Sequence, residues 1–309
     1  MVHLTQCTCH GTQRSLFCLF AARERQESTV LEDTVVIEST RNSVFIFTAI
    51  VFAVAMMWES FFPRRELGTG MLWRWLNNFS LGALSWYINA VMGTWFLLWI
   101  SQQTTVGNYG LLRHWGAGNV IGFFTLLTVT QFISYWTHVI FHKVTWLWPI
   151  HAVHHSDVEI DVSTSYRHHP LEPLITLPIA GPIVLLLGIP APAIIAYRMF
   201  EVAASVFSHS NIRIPQTIER YLRFIVLTPD YHRIHHCADP QFTNSNYGSL
   251  IPWFDYLFGT NRNRPFDDQE SMQLGLEYLR EPQDNRLDKL IATPLYVRRA
   301  IRKVQRQTE

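Results

Sequence analysis

At 309 residues the chain has room for one large domain or two ordinary ones. Hydrophobic residues make up 48% of it, with eleven Trp and twenty Phe, while charged residues reach only 16%, against about 25% in a typical soluble domain; this points to a membrane protein. A formal charge of +1, with cationic residues gathered near the expected membrane borders and in the tail, leaves no basic face and argues against nucleic acid as a partner.

Residues 1–42 are expected to form a flexible leader. Leu16–Ala22 is short for the apolar core of a signal peptide and runs into Arg23, Glu24 and Arg25. Cys7, Cys9 and Cys18 crowd into this leader and only Cys237 lies beyond it, which is poor material for a disulfide framework. The C-x-C-H run at Cys7–His10 lacks the second ligand pair of a structural zinc site.

From Ser43 to Phe62 one charge, Glu59, interrupts about 20 apolar residues, enough to cross a hydrocarbon core of about 30 Å as a helix. Pro63 closes this span, and Arg64, Arg65 and Arg74 outweigh Glu66 in the linker that follows, as in a cytoplasmic loop. A second span is expected from Phe79 to Ile100, then a polar loop from Ser101 to Gly118, then a third span from Val120 to His142. Leu171–Phe207 is apolar but broken by Pro178, Pro182, Pro190 and Pro192, so two helical segments meeting near Gly188–Pro192 are expected, forming a hairpin that returns the chain to its starting side. After Gly259 the sequence turns hydrophilic, and Arg298–Arg306 reads as a solvated basic helix with weak attraction to anionic lipid as the alternative.

Seven of the fourteen histidines fall between Trp136 and Pro170. His138 and His142 stand at i and i+4, which places both rings on one helix face. His151, His154 and His155 form an H-x-x-H-H box, and His232, His235 and His236 repeat it some eighty residues later. Eight imidazoles are too many for one ion, which takes about four to six ligands, and suit a pair of metals. Without metal, their buried ring nitrogens would cost roughly 1 to 3 kcal/mol each. Imidazole suits iron, zinc and copper alike; attack on an unactivated C–H bond at a membrane edge favours iron, whereas zinc would favour hydrolysis. A metal store or transporter is a further reading, but from Val44 to Thr137 the only histidine is His114, so no ligand path follows the spans.

The boxes H-V-I-F-H at 138–142, H-A-V-H-H at 151–155 and H-R-I-H-H at 232–236 resemble those of the fatty acid hydroxylase/sterol desaturase superfamily of integral-membrane diiron oxygenases. The likeness extends to S-D-V-E-I-D-V-S-T at 156–164, R-H-H-P-L-E at 167–172, H-S-N-I-R-I-P at 209–215, T-P-D-Y-H-R-I-H-H at 228–236 and N-Y-G-S-L-I-P-W-F-D-Y-L-F-G-T at 246–260, covers roughly Arg74 to Thr260, and is greatest to bacterial members. It implies an all-α membrane protein with about four transmembrane helices, one a proline-broken hairpin, and a cytosolic histidine-rich helical cap. The family-like domain would run over 43–260, with a hydrophilic tail over 261–309.

By the same resemblance, His138, His142, His151, His154, His155, His232, His235 and His236 would be catalytic metal ligands, with His209 and His169 as further ligands. His168 has no counterpart and is expected beside the ligands. Asp157, Asp161, Glu172, Asp230 and Asn246 would either orient ligand imidazoles or form caps and turns. The chain departs from many relatives at Gln131, where an acidic residue is common, and at Val139, where a basic one is. The implied cofactors are two metal ions, iron or zinc, with O2 as co-substrate. The implied partners are a membrane lipid and a separate electron donor, cytochrome b5-like, ferredoxin or reductase, since no G-x-G-x-x-G motif is present. The implied place is the bacterial inner membrane, with the boxes facing the cytoplasm.

Overall fold

The structure, a computed structural model, describes residues 42–68, 70–88, 93–107 and 110–308. Residues 1–41 of the expected leader, with Cys7, Cys9 and Cys18, lie outside the described residues. Every element among the described residues is helical; the only β pairings are two isolated bridges, Pro63 with Ile212 and Cys237 with Leu274.

Helix α1, Asn42–Phe61, is long and apolar enough to cross a membrane. Ile46, Ile50, Val54 and Met57 form an exposed stripe along it at helical spacing. Its one carboxylate is not wasted in apolar surroundings: Glu59 Oε2 accepts the backbone N–H groups of Val162 at 3.1 Å and Asn211 at 2.9 Å. Pro63 ends the helix, and Arg64 N–H to the Asn211 carbonyl, with Arg213 N–H to the Phe62 carbonyl, clips this end to the segment after the hairpin.

In the run expected as a second span, helix α2 covers Met71–Trp86 and α3 covers Thr94–Gly107, so helix starts before the expected span and continues into what read as a loop. One face of α2 is polar and buried, with Asn78 donating to Asp157 and Ser163 and Ser85 donating to the His168 carbonyl, while Leu72, Trp73, Leu76 and Leu84 stay exposed on the other. After the short α4, Leu111–His114, comes α5, Asn119–Lys143, the second helix long and apolar enough to cross a membrane.

Helix α6, Trp148–His155, starts with Pro149 in its first turn, where the missing N–H costs nothing. A 3-10 turn over Val162–Tyr166 follows, then the hairpin of α7, Leu171–Leu187, and α8, Ala191–His209. The chain turns at Gly188–Pro190 as expected, but Pro178 and Pro182, expected to break the run, lie inside α7 without ending it. Gly188 takes a left-handed φ of 65° and returns its N–H to the Val184 carbonyl, and Pro190 precedes α8 in extended form. Gly122 lets α5 lie against that turn, since a Cβ there would stand 3.0 Å from Pro190 Cδ and 3.1 Å from the Ala193 Cβ. Leu126, Leu127, Val184, Ile189, Ile194 and Tyr197 fill the core between these helices.

The remaining helices are α9 (Gln216–Leu222), α10 (Pro229–His235), α11 (Pro240–Thr243), α12 (Trp253–Phe258), α13 (Asp268–Ser271) and α14 (Leu287–Thr308). Thr228 caps α10 by accepting the Tyr231 N–H, and Pro229 fills its first position. The segment that read as a hydrophilic tail packs in part on the histidine region. Leu276, Leu279 and Val297 surround Ala152, and Leu290 closes on Val153 and Leu81.

Candidate metal centre

The histidines come together in two buried groups. His138, His142, His151, His155 and His235 form the first, and His154, His209, His232 and His236 the second, with the ligand atoms of each within 4.8 Å of one another. The local spacing explains the partition. Each i,i+4 pair stays on one side, His138 with His142, His151 with His155, and His232 with His236. The remaining histidine of each H-x-x-H-H box, His154 or His235, points across to the other group, so the two boxes interlock. His209, at the last residue of α8, completes the second group.

In five of the nine histidines the ring nitrogen turned away from the group is held by a neighbour. His138 Nδ1 lies 2.8 Å from the Tyr247 carbonyl, His235 Nδ1 2.6 Å from that of Ser245, His209 Nδ1 2.8 Å from that of Ser205, and His154 Nδ1 3.3 Å from that of Arg167. His151 Nδ1 lies 3.1 Å from Glu172 Oε1. An oxygen acceptor draws the proton to Nδ1 and leaves Nε2 with its lone pair, the form a metal takes.

Within the groups those Nε2 atoms face one another: His138 to His151 at 2.9 Å, His138 to His235 at 3.0 Å, His209 to His232 at 3.0 Å, His232 to His236 at 3.1 Å and His154 to His209 at 3.3 Å. Two nitrogens each about 2.1 Å from one ion and at right angles would stand about 3.0 Å apart, and about 3.4 Å apart at a tetrahedral angle. Most of these edges fit the right angle. Among the described residues, both nitrogens of His142 and His155 and Nδ1 of His232 and His236 are buried with no hydrogen-bond partner. Each such atom costs roughly 1–3 kcal/mol unless something takes it up, so the donor set fits a pair of metal ions.

Burial, reinforced by neighbouring imidazoles, holds His154, His155, His232 and His236 well below the usual histidine range. Burial first, then His151, pushes His235 down to about 3 against the opposing bond to Ser245. Neutral rings are what metal binding requires.

The other expected residues divide. His168 lies beside the ligands, stacked on His154 with ring centroids 4.3 Å apart and its Nδ1 2.8 Å from Glu172 Oε2. Glu172 is the only one of the five candidate orienting residues that reaches a ligand imidazole. Asp157 and Asp161 instead grip Arg74, with Asp161 also capping the 3-10 turn through Ser163. Asp230 pairs with Arg64 and Arg233, and Asn246, at φ 52°, ties Tyr231 to Arg262. His169 stands outside both groups because its nitrogens are engaged elsewhere: Nδ1 accepts the Leu171 N–H at 3.1 Å, and Nε2 lies 3.0 Å from the Ile291 carbonyl. Gln131 accepts the Leu250 N–H, and Val139 packs on the Tyr135–Tyr247–Phe254 cluster.

Two arginines that the histidine spacing could not single out brace the site. Arg167, fully buried, donates to the Val153 carbonyl, Asn78, Ser156 and Asn285 at 2.8–2.9 Å while its own carbonyl meets His154. Burial lowers its pKa to about 10, opposed by Asp157. Arg74 spans Asp157, Asp161, Thr164 and the Glu159 carbonyl; burial works against its charge, but the two carboxylates prevail and raise its pKa. The sequence signal that was there to find is Arg167 directly before His168 and His169 in a chain so poor in charge.

Two interlocked histidine groups at the end of apolar helices form a donor set that could hold metal ions. Residues 123–260, somewhat under half of the chain, match the fatty acid hydroxylase family. The chain is 30% identical over 139 residues to ornithine lipid hydroxylase OlsE of Rhizobium tropici, covering 45% of this chain and 41% of that protein. It is 29% identical over 128 residues to the alkylglycerol monooxygenase of Danio rerio (41% and 27%), and 29% identical over 153 residues to methylsterol monooxygenase 1-1 of Arabidopsis thaliana (45% and 46%). The matched stretch thus spans less than half the length of each of these relatives. No solved structure matches the chain.

Proposed function

We propose that the chain is a membrane-bound diiron oxygenase that hydroxylates or desaturates a membrane lipid. The observation that carries this reading is the pair of buried histidine groups with inward Nε2 edges near 3.0 Å. The relatives' names, which speak of hydroxylating or monooxygenating lipids, support it.

Bound there, two irons would supply the activation of O2 and the electron transfer that attack on a C–H bond needs. Hydroxylation consumes one O2, two electrons and two protons, and gives an alcohol and one water; desaturation consumes the same and gives an alkene and two waters. The electrons come from a separate donor, cytochrome b5-like, ferredoxin or reductase.

The protein's part is to hold and to exclude. The first group would hold one ion and the second the other, Glu172 and the four carbonyls fix the rings, and burial keeps bulk water from the site. About four membrane passes fit the length and apolarity of α1, α5 and the α7–α8 hairpin together with the α2–α3 region. The linker arginines support a cytoplasmic site, since Arg64 and Arg74 pair with residues of the histidine domain. The bacterial inner membrane is the corresponding location.

The test is lipid analysis of membranes with and without the gene, in air and without oxygen, together with metal analysis of the purified protein. About two irons per chain and a product that requires O2 are expected. Unchanged lipids in air, or a product that forms without oxygen, would overturn the reading.

A further inference from the structure

In front of the histidines lies a cavity of about 320 Å³ whose lining, apolar at Leu97, Ile133, Phe141 and Leu250, also carries a group of polar and charged side chains. Tyr197, Arg198 and Glu201 of α8 and Gln131 and Ser134 of α5 face it. A second cavity of about 240 Å³ runs along Gly82, Tyr166, Val202 and Val206. The two share His168, Glu172, Thr176, Arg198, Glu201 and Ser205, which therefore stand at the doorway between an inner chamber and an outer groove.

From Leu171 to Phe207 the sequence contains only three charges, Glu172, Arg198 and Glu201, and all three line this doorway. Charges carried into apolar helices are costly, and ionisable groups that line a cavity between such helices mark a functional site. Glu172 already serves His151 and His168. Arg198 Nη1 pairs with Glu201 Oε2, and the Tyr197 hydroxyl lies 3.4 Å from Glu201 Oε1. With side chains 11% and 31% exposed, the pair is sheltered yet reachable from both cavities.

Resting on the oxygenase reading, we propose that the substrate enters head first and that its head is zwitterionic. An acid group would lie on Arg198, whose planar fork suits carboxylate or phosphate, and an amine would lie on Glu201, each group replacing part of the existing ion pair. The hydrocarbon chain runs out along Val202 and Val206. The carbon that is oxidised belongs to the head or to the first few carbons beyond it. The inner chamber is at the small end for ligand pockets, nearer the size of an amino-acid head than of a long chain. An alkyl chain pressed against both ions would strip their water without offering a bond in return.

Four C16 lipids test this without variants: N-hexadecanoyl lysine (acid and amine), N-hexadecanoyl alanine (acid only), hexadecylamine (amine only) and hexadecanol (neither). Binding to the metal-loaded, full-length protein under argon is read by native mass spectrometry. The lysine lipid is expected to bind roughly tenfold more tightly than any other. Glu201→Gln should reduce it to the level of the alanine lipid, and Arg198→Gln to that of hexadecylamine, with metal content serving as the folding control. Hexadecanol binding as tightly as the lysine lipid would overturn the proposal. In air, with a chemical reductant, the new hydroxyl is located by fragmentation; oxidation in the far half of the chain would also overturn it. Head-group ranking without any product would sink the oxygenase reading and the placing of the oxidised carbon, and leave the zwitterionic head site standing. Product without ranking would do the reverse.

Discussion

Replacing Glu172 by Gln tests whether the carboxylate beneath the site governs metal binding. Its two oxygens receive two imidazole N–H groups, from His151 at 3.1 Å and His168 at 2.8 Å. A glutamine has one oxygen to offer, so one of the two rings must face an amide N–H instead. If that ring is His151, its proton is driven to Nε2, the atom that points into the first group beside His138. Losing such a support behind a ligand typically costs 10–100-fold in metal affinity, or about 1.4–2.7 kcal/mol. The assay is competition with a calibrated chelator, read as metal retained per chain. His168→Gln removes only the outer of the two contacts and is expected to stay within about threefold of the natural protein, well inside the range for a lost ligand support. Full metal affinity in Glu172→Gln would refute the reasoning; so would an equal loss in both variants, because it would place the effect in the fold rather than in His151.

Three further outcomes follow from the same geometry. His142→Ala and His236→Ala, one from each group, should each lower the bound metal from two ions to about one per chain, as measured by elemental analysis; complete loss from either would contradict separate groups. Metal-free protein should be fully stable above about pH 6.5, the unfolded histidine value, and should lose stability as the pH falls towards the depressed folded values, because below pH 6.5 the unfolded chain binds more protons. For His235, held down to about 3, the loss at pH 5 is about 2 kcal/mol, visible as a lower Tm of the metal-free protein at pH 5 than at pH 7.5. Arg74→Met strands Asp157 and Asp161 in the interior and should cost about 3–5 kcal/mol in denaturant melts, with Asp157→Asn in the same chain restoring part of it.

What could be read in the sequence was local. The ends of α5, the break at Gly188–Pro192 and the membership of the histidine boxes all depend on spacing within a few turns, where helix geometry leaves little choice. The crossing of His154 and His235 between groups depends on how α6 and α10 face each other, which no single box reveals. Likewise Asp157 and Asp161 carry the residue types of imidazole partners, yet they meet an arginine more than eighty residues earlier in the chain. The buried polar face of α2, where Asn78 meets Asp157 and Ser163, is also hidden by average apolarity. His169 shows the opposite error: a motif position was legible, but the direction of its ring was decided by the Ile291 carbonyl far along the chain.

The buried Arg167 has a consequence for how the protein fails. Its guanidinium holds Asn285 in the C-terminal segment, and its carbonyl holds the ring of His154. Damage near residue 285, by proteolysis or by misfolding late in synthesis, would therefore be felt at the metal ligands rather than confined to the periphery. A chain that has not finished folding would hold the second histidine group poorly formed until the segment around Asn285 is in place.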